Sequence, residues 1–84
     1  MNNPILRKID VPAAYTPLAA SKTVCTFTLS CPPTNAGVVY VKGDTGDDVP
    51  LVPGEWQTFQ RVDMAAIQIK GAVGDIVTVV GGTW

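Results

Sequence analysis

Twelve valines, five isoleucines and nine threonines stand in a chain of 84 residues, against four leucines and a single glutamate, Glu55. Branching at Cβ restricts χ1 and suits a pleated strand better than a helix, so this bias excludes a helical bundle and predicts an all-β fold. Alternation places the strands. Over residues 23–31, Thr23, Cys25, Phe27 and Leu29 share one face and Val24, Thr26, Thr28 and Ser30 the other, which makes the first set the inward one. Residues 37–42 form a second β run, and residues 49–52 a short edge piece interrupted by Pro50. Pro53-Gly54 signals a type II turn, with proline presetting its own φ and glycine accepting the positive one. A strand follows over residues 56–62, its inward face ambiguous because Trp56 and Phe59 fall on opposite parities. Residues 63–66 suit one helical turn or a loop. Ile67 and Ile69 point inward from the next strand, and residues 71–75 read as a hairpin loop leading into residues 76–80.

The first twenty residues differ in kind. Pro4, Pro12 and Pro17 recur among short apolar pieces, which disfavours both a helix and a central strand. The expectation is an extended N-terminal arm over residues 1–20, with a short edge strand at residues 6–9, followed by a β-domain over residues 21–84. At ~3.3 Å per residue such an arm could span about 65 Å. Ile5, Leu6, Ile9, Val11 and Tyr15 make it too apolar for a solvated tail, so it is expected to lie on its own domain or on a neighbouring subunit. The whole reads as a small antiparallel β-sandwich or barrel of five to six strands.

A domain this short buries only about 60% of its unfolded surface and is marginal unless stapled or assembled. Cys25 and Cys31 share one face of one run, about 20 Å apart if it stays extended, so they are expected to be unpaired. Oligomerisation is then the expected source of stability, a homodimer or trimer by the default of closed symmetry.

The chemistry is narrowed mostly by exclusion. Six Lys and Arg against seven Asp and Glu give a formal net charge of -1, and the chain has no histidine. A near-neutral chain argues against general nucleic-acid binding, and histidine is both the commonest catalytic base and the commonest metal ligand. Asp44, Asp47 and Asp48 gather oxygen ligands in one loop, but their spacing fits no calcium motif and a solvated turn is the better expectation. No helix follows Gly43 and Gly46 to aim its N-terminus at a phosphate. Trp56, Tyr40 and Trp84 could stack on sugars, although core packing or a subunit contact suits Trp56 better. Trp84, a large aromatic at a chain end, is expected to pack at the end of the barrel or on a neighbour. No enzyme, cofactor or metal is expected. No stretch approaches the ~20 apolar residues of a membrane span, and residues 1–12 lack the apolar run of a signal peptide.

Residues 52–56 (Val-Pro-Gly-Glu-Trp), 67–71 (Ile-Gln-Ile-Lys-Gly) and 74–79 (Gly-Asp-Ile-Val-Thr-Val) resemble turn and strand elements of small β-sandwich proteins in tailed-bacteriophage virions. The resemblance covers residues 37–82 and is strongest in kind to head-decoration and capsid-cement proteins. It implies a structural virion protein, made in the host cytoplasm, that binds the assembled head and stabilises it. Its partners would be the major capsid protein or other virion proteins, with neither nucleic acid nor membrane bound directly. The partner-binding residues would be Ile5, Leu6, Ile9, Val11, Tyr15 and Trp84, with the arm's apolar side chains buried only on assembly. A phage tail or fibre connector and a carbohydrate-binding module are the alternatives.

Overall fold

A computed structural model describes residues 3–83. Eight strands and one turn of 3-10 helix follow in order: β1 (Asn3–Asp10), β2 (Thr16–Pro17), β3 (Val24–Ser30), β4 (Val39–Lys42), β5 (Val49–Leu51), β6 (Trp56–Asp63), the 3-10 turn (Met64–Ala66), β7 (Gln68–Lys70) and β8 (Ile76–Thr83). They form two antiparallel four-stranded sheets. The first sheet has the order β1-β8-β3-β6 and the second β2-β7-β4-β5. The all-β expectation holds. The strand count exceeds the expected five to six because the N-terminal residues contribute β1 and β2.

The N-terminal region departs furthest from the sequence reading. It is extended, but no separate limb is seen among the described residues. β1 runs antiparallel to β8 from Asn3 opposite Thr83 to Asp10 opposite Ile76, as an edge strand of the first sheet. Ile5 (8% exposed) and Val11 (4%) lie in the core with Leu18 and Ala19, so they are buried within the chain and not only on assembly. Proline is tolerated here because an edge strand leaves alternate N–H groups unpaired.

Inward residues of both sheets meet in one core. Cys25, Phe27, Leu29, Val77 and Val79 come from the first sheet, Val39, Leu51 and Ile69 from the second, and Met64 from the 3-10 turn. The inward faces expected for Cys25, Phe27 and Leu29, and for Ile67 and Ile69, are the observed ones. Gly81 lets β8 close on β3: a Cβ there would lie 2.0 Å from the Thr26 carbonyl oxygen and 2.6 Å from Phe27 Cα.

The ambiguity of β6 has a physical cause. Cys25 pairs with Val62 and Phe27 with Phe59, so three steps on β6 oppose two on β3. Arg61 takes up the extra residue at φ 53°, and its N–H donates to Thr26 Oγ1 at 3.2 Å. The bulge reverses parity, turning Phe59 inward before it and Val62 after it. Phe59 stacks on Phe27 with ring centroids 5.3 Å apart, while Trp56 stays outside.

The hairpin expected at residues 71–75 is instead a crossing, because β7 and β8 belong to different sheets. Asn35 and Asp75, both buried, fasten this crossing to the loop after β3. Asn35 donates from Nδ2 to the Ile76 carbonyl and accepts the Ile76 N–H on Oδ1, while Asp75 accepts the N–H groups of Ala36 and Gly37. The type II turn at Pro53-Gly54 is present, with Gly54 at φ 94° and the Glu55 N–H donating to the Val52 carbonyl.

Two predictions follow from burial and capping. Ile5→Ala is expected to lower urea stability by about 2 kcal/mol and Leu6→Ala, with its side chain outside, by under about 0.5 kcal/mol. Asp63 Oδ1 accepts from the Thr23 and Ala65 N–H groups, both at 2.9 Å, and these bonds hold its carboxyl below the ordinary value. Folding therefore favours the charged form, a contribution complete above the unfolded value of about 3.9 and lost as the pH falls through the lower folded value. Urea midpoints of Asp63→Asn should lie below those of the parent at pH 7, with the gap closing as the pH falls through the lowered folded value.

Candidate functional site

The outer face of the first sheet is built by the ladder registers. Leu6 lies opposite Val80, Val80 opposite Thr28, and Thr28 opposite Thr58, so one row crosses all four strands. The neighbouring row runs Lys8, Thr78, Ser30, Trp56. Each row spans about 14 Å at the usual spacing between strands. Leu6 is 69% exposed, Val80 54% and Trp56 67%. Thr28 and Thr58 join their hydroxyls at 3.0 Å. Lys8 is the one charge in these two rows. Contiguous apolar and hydroxyl surface of this kind is chemistry for adhesion, and a wide-open tryptophan suits the centre of an interface.

The outer face of the second sheet is different. Tyr15, ahead of β2, lies between Lys42 and Lys70, whose Nζ atoms are 4.3 and 4.8 Å from its ring centroid. Its hydroxyl donates to Asp48 in the β4–β5 loop. Two cations on the ring and a carboxylate at its hydroxyl hold the N-terminal segment on its own domain. Desolvation, then the hydrogen bond to Asp48, pushes the Tyr15 phenol up to about 12. Asp47 accepts from Thr45 Oγ1 in the same loop, and among the described residues no three His, Cys, Asp or Glu are grouped to hold a metal ion.

Between the sheets, on the side of β5 and β6, an open cleft of about 380 Å³ is lined by Val41, Val49, Leu51, Gln57, Phe59 and their neighbours. The two cysteines are free and buried, and burial pushes the Cys25 thiol up. Asn35 Nδ2 donates to Cys31 Sγ at 3.2 Å. No helix of the described residues is long and apolar enough to cross a membrane.

The six residues singled out from the sequence therefore separate. Ile5 and Val11 are core, Ile9 is half-buried, and Tyr15 is engaged within the chain. Leu6 is on the outer face, and Trp84 lies outside the described residues. Val80, Thr28 and Thr58 were missed as site residues. Their signal was the outward half of the alternation, which the sequence assigns to a face without saying that the face is apolar across four strands. Trp56 and Tyr40 emerge on different sheets, so they do not share one stacking platform. No family model matches the chain, and no match was found among curated proteins or solved structures.

In a Tyr40→Phe chain, which removes the smallest of the causes that raise it, titration of tyrosinate absorbance is expected to give a Tyr15 midpoint still well above the ordinary value of about 10. Adding Asp48→Asn should lower it toward the ordinary value of about 10. Folding favours the protonated phenol, so this contribution is complete below about pH 10 and is lost as the pH rises through the folded value.

Proposed function

We propose that this chain is a structural virion protein of the capsid-decoration type, an open β-sandwich that attaches to an assembled head through the outer face of its first sheet. The observation that carries the reading is the exposure of Leu6, Val80 and Trp56 within rows otherwise made of threonine, serine and a single lysine, Lys8. The N-terminal segment contributes Leu6 from β1, a more limited role than an arm laid across neighbours.

Magnitudes favour attachment in many copies. Burying the exposed parts of Leu6, Val80 and Trp56 contributes about 4 kcal/mol in all. Association opposes this with about 4–15 kcal/mol of lost freedom, so one copy binds weakly and a lattice of linked copies binds well. Such a protein reinforces a shell by spreading modest contacts over many sites.

Tailed-phage particles purified from cells carrying the gene are expected to contain the chain in many copies, with density on the head in electron microscopy. Leu6→Ser combined with Trp56→Ala should empty those sites while shifting urea stability by under about 1 kcal/mol. Particles without the chain would overturn the reading, and density on the tail would replace it with the connector.

A further inference from the structure

Four strand edges are open in this fold, and three are guarded. β2 and β5 are two and three residues long and contain Pro17 and Pro50, and β1 carries Pro4, Arg7 and Lys8. Short edges, prolines and charges are the usual defences against pairing with another chain. β6 is eight residues long, has no proline, and is uncharged from Trp56 to Gln60. Of those five residues all but Phe59 are exposed, and the cleft lies along the same edge.

The ladder fixes which backbone groups of β6 face outward. The Cys31 N–H donates to the Glu55 carbonyl, so hydrogen bonding to β3 alternates through Gln57 and Phe59. The N–H and C=O groups of Trp56, Thr58 and Gln60 then point away from the sheet. The close Thr28–Thr58 hydroxyls fit a pair of the non-bonded kind.

We infer that β6 pairs antiparallel with β6 of a second copy of this chain, about a two-fold axis at Thr58. This register joins the outward groups of Thr58 to their own mates and those of Trp56 to those of the second copy's Gln60. It also brings Glu55, whose Oε1 accepts the Val52 N–H, beside the bulged Arg61 of the second copy, so the acidic end of each β6 edge meets the basic end of its mate. Sliding the axis to Phe59 would bring Glu55 toward Asp63, and sliding it to Gln57 would leave Glu55 beside the uncharged Phe59, so charge favours the axis at Thr58. On the inner side Gln57 meets the second copy's Phe59, which closes over the mouth of the cleft. The contact is isologous and self-limiting, and it does not depend on what the outer face of the sheet binds.

Sedimentation equilibrium of the 84-residue chain at low salt is expected to give twice the mass of one chain. Thr58→Pro removes an outward N–H without removing a bond to β3, and should give a monomer with an unchanged circular dichroism spectrum. Glu55→Arg and Arg61→Glu, each at an exposed position, place like charges at both ends and should each weaken the dimer about tenfold or more. Mixed one to one, the doubly cationic edge of the first meets the doubly anionic edge of the second, and a heterodimer at least as tight as the parent should form. A parent chain that stays monomeric at about 0.5 mM, charge variants that dimerise like the parent, or a mixture no tighter than either variant would each overturn the proposal.

Discussion

The buried pair Asn35 and Asp75 is the constraint on which the two-sheet arrangement depends. Only β4 and β5 are consecutive strands within one sheet, and every other step along the chain changes sheet. Local hairpins therefore cannot hold the fold together, and its ends must be tied by groups distant in sequence. Asp75 accepts two N–H groups from the loop after β3, and Asn35 returns two bonds to Ile76 at the start of β8. A buried carboxylate without such donors is strongly unfavourable, and so is an unpaired buried amide. Here every buried side-chain nitrogen or oxygen among the described residues has a partner. The crossings elsewhere repeat the device with backbone alone, as where the Val11 N–H donates to the Asp75 carbonyl and the Gly71 N–H to Pro12.

What the sequence revealed depended on whether side-chain period or turn chemistry carried the information. Alternation from Cys25 to Leu29 was legible because β3 is central in its sheet and the extra residue of the bulge opposite it is carried by β6, which leaves the period of β3 unbroken. Pro53-Gly54 was legible because its φ values admit few alternatives. β6 was not, because a bulge at Arg61 moves the inward set from odd to even positions, and arginine gives no sign of a positive φ. The crossing at residues 71–75 looked like a hairpin because a Gly-Asp turn has the same chemistry within one sheet as between two. β1 was hidden by its prolines, which an edge strand tolerates. Its odd positions Ile5, Ile9 and Val11 did carry a strand period, broken by Arg7.

The candidate site was less legible for a deeper reason. The β-branched residues that fill the core also cover the outside, so Val79 and Val80 differ in burial and not in chemistry. Only registers spanning the chain from Leu6 to Val80 to Thr28 to Thr58 turn scattered residues into a surface. Leu6 was found by its apolarity and attributed to an arm. Tyr15 was attributed likewise, although its ring is held by Lys42 and Lys70 on its own domain.

The two open features of the first sheet, its outer face and its β6 edge, reinforce each other. Antiparallel pairing about an axis normal to a sheet keeps facing residues on the same side, so Thr58 and its mate both point outward. A dimer joined at β6 therefore continues the sheet to eight strands and presents two outer faces in one direction. In the proposed dimer, the weak attachment proposed for one face, at about 4 kcal/mol of apolar gain, would become bivalent without any new contact to the target. Trp56 lies in the strand at the join, so the two tryptophans come to the middle of the doubled surface, while Leu6 and Val80 lie on either side. Charge is scarce in this chain, with thirteen acidic and basic residues in 84, and it is placed where it selects. Arg7 and Lys8 discourage pairing at β1, whereas Glu55 and Arg61 bracket the edge left open and, in the proposed dimer, would bring opposite charges together at its two ends.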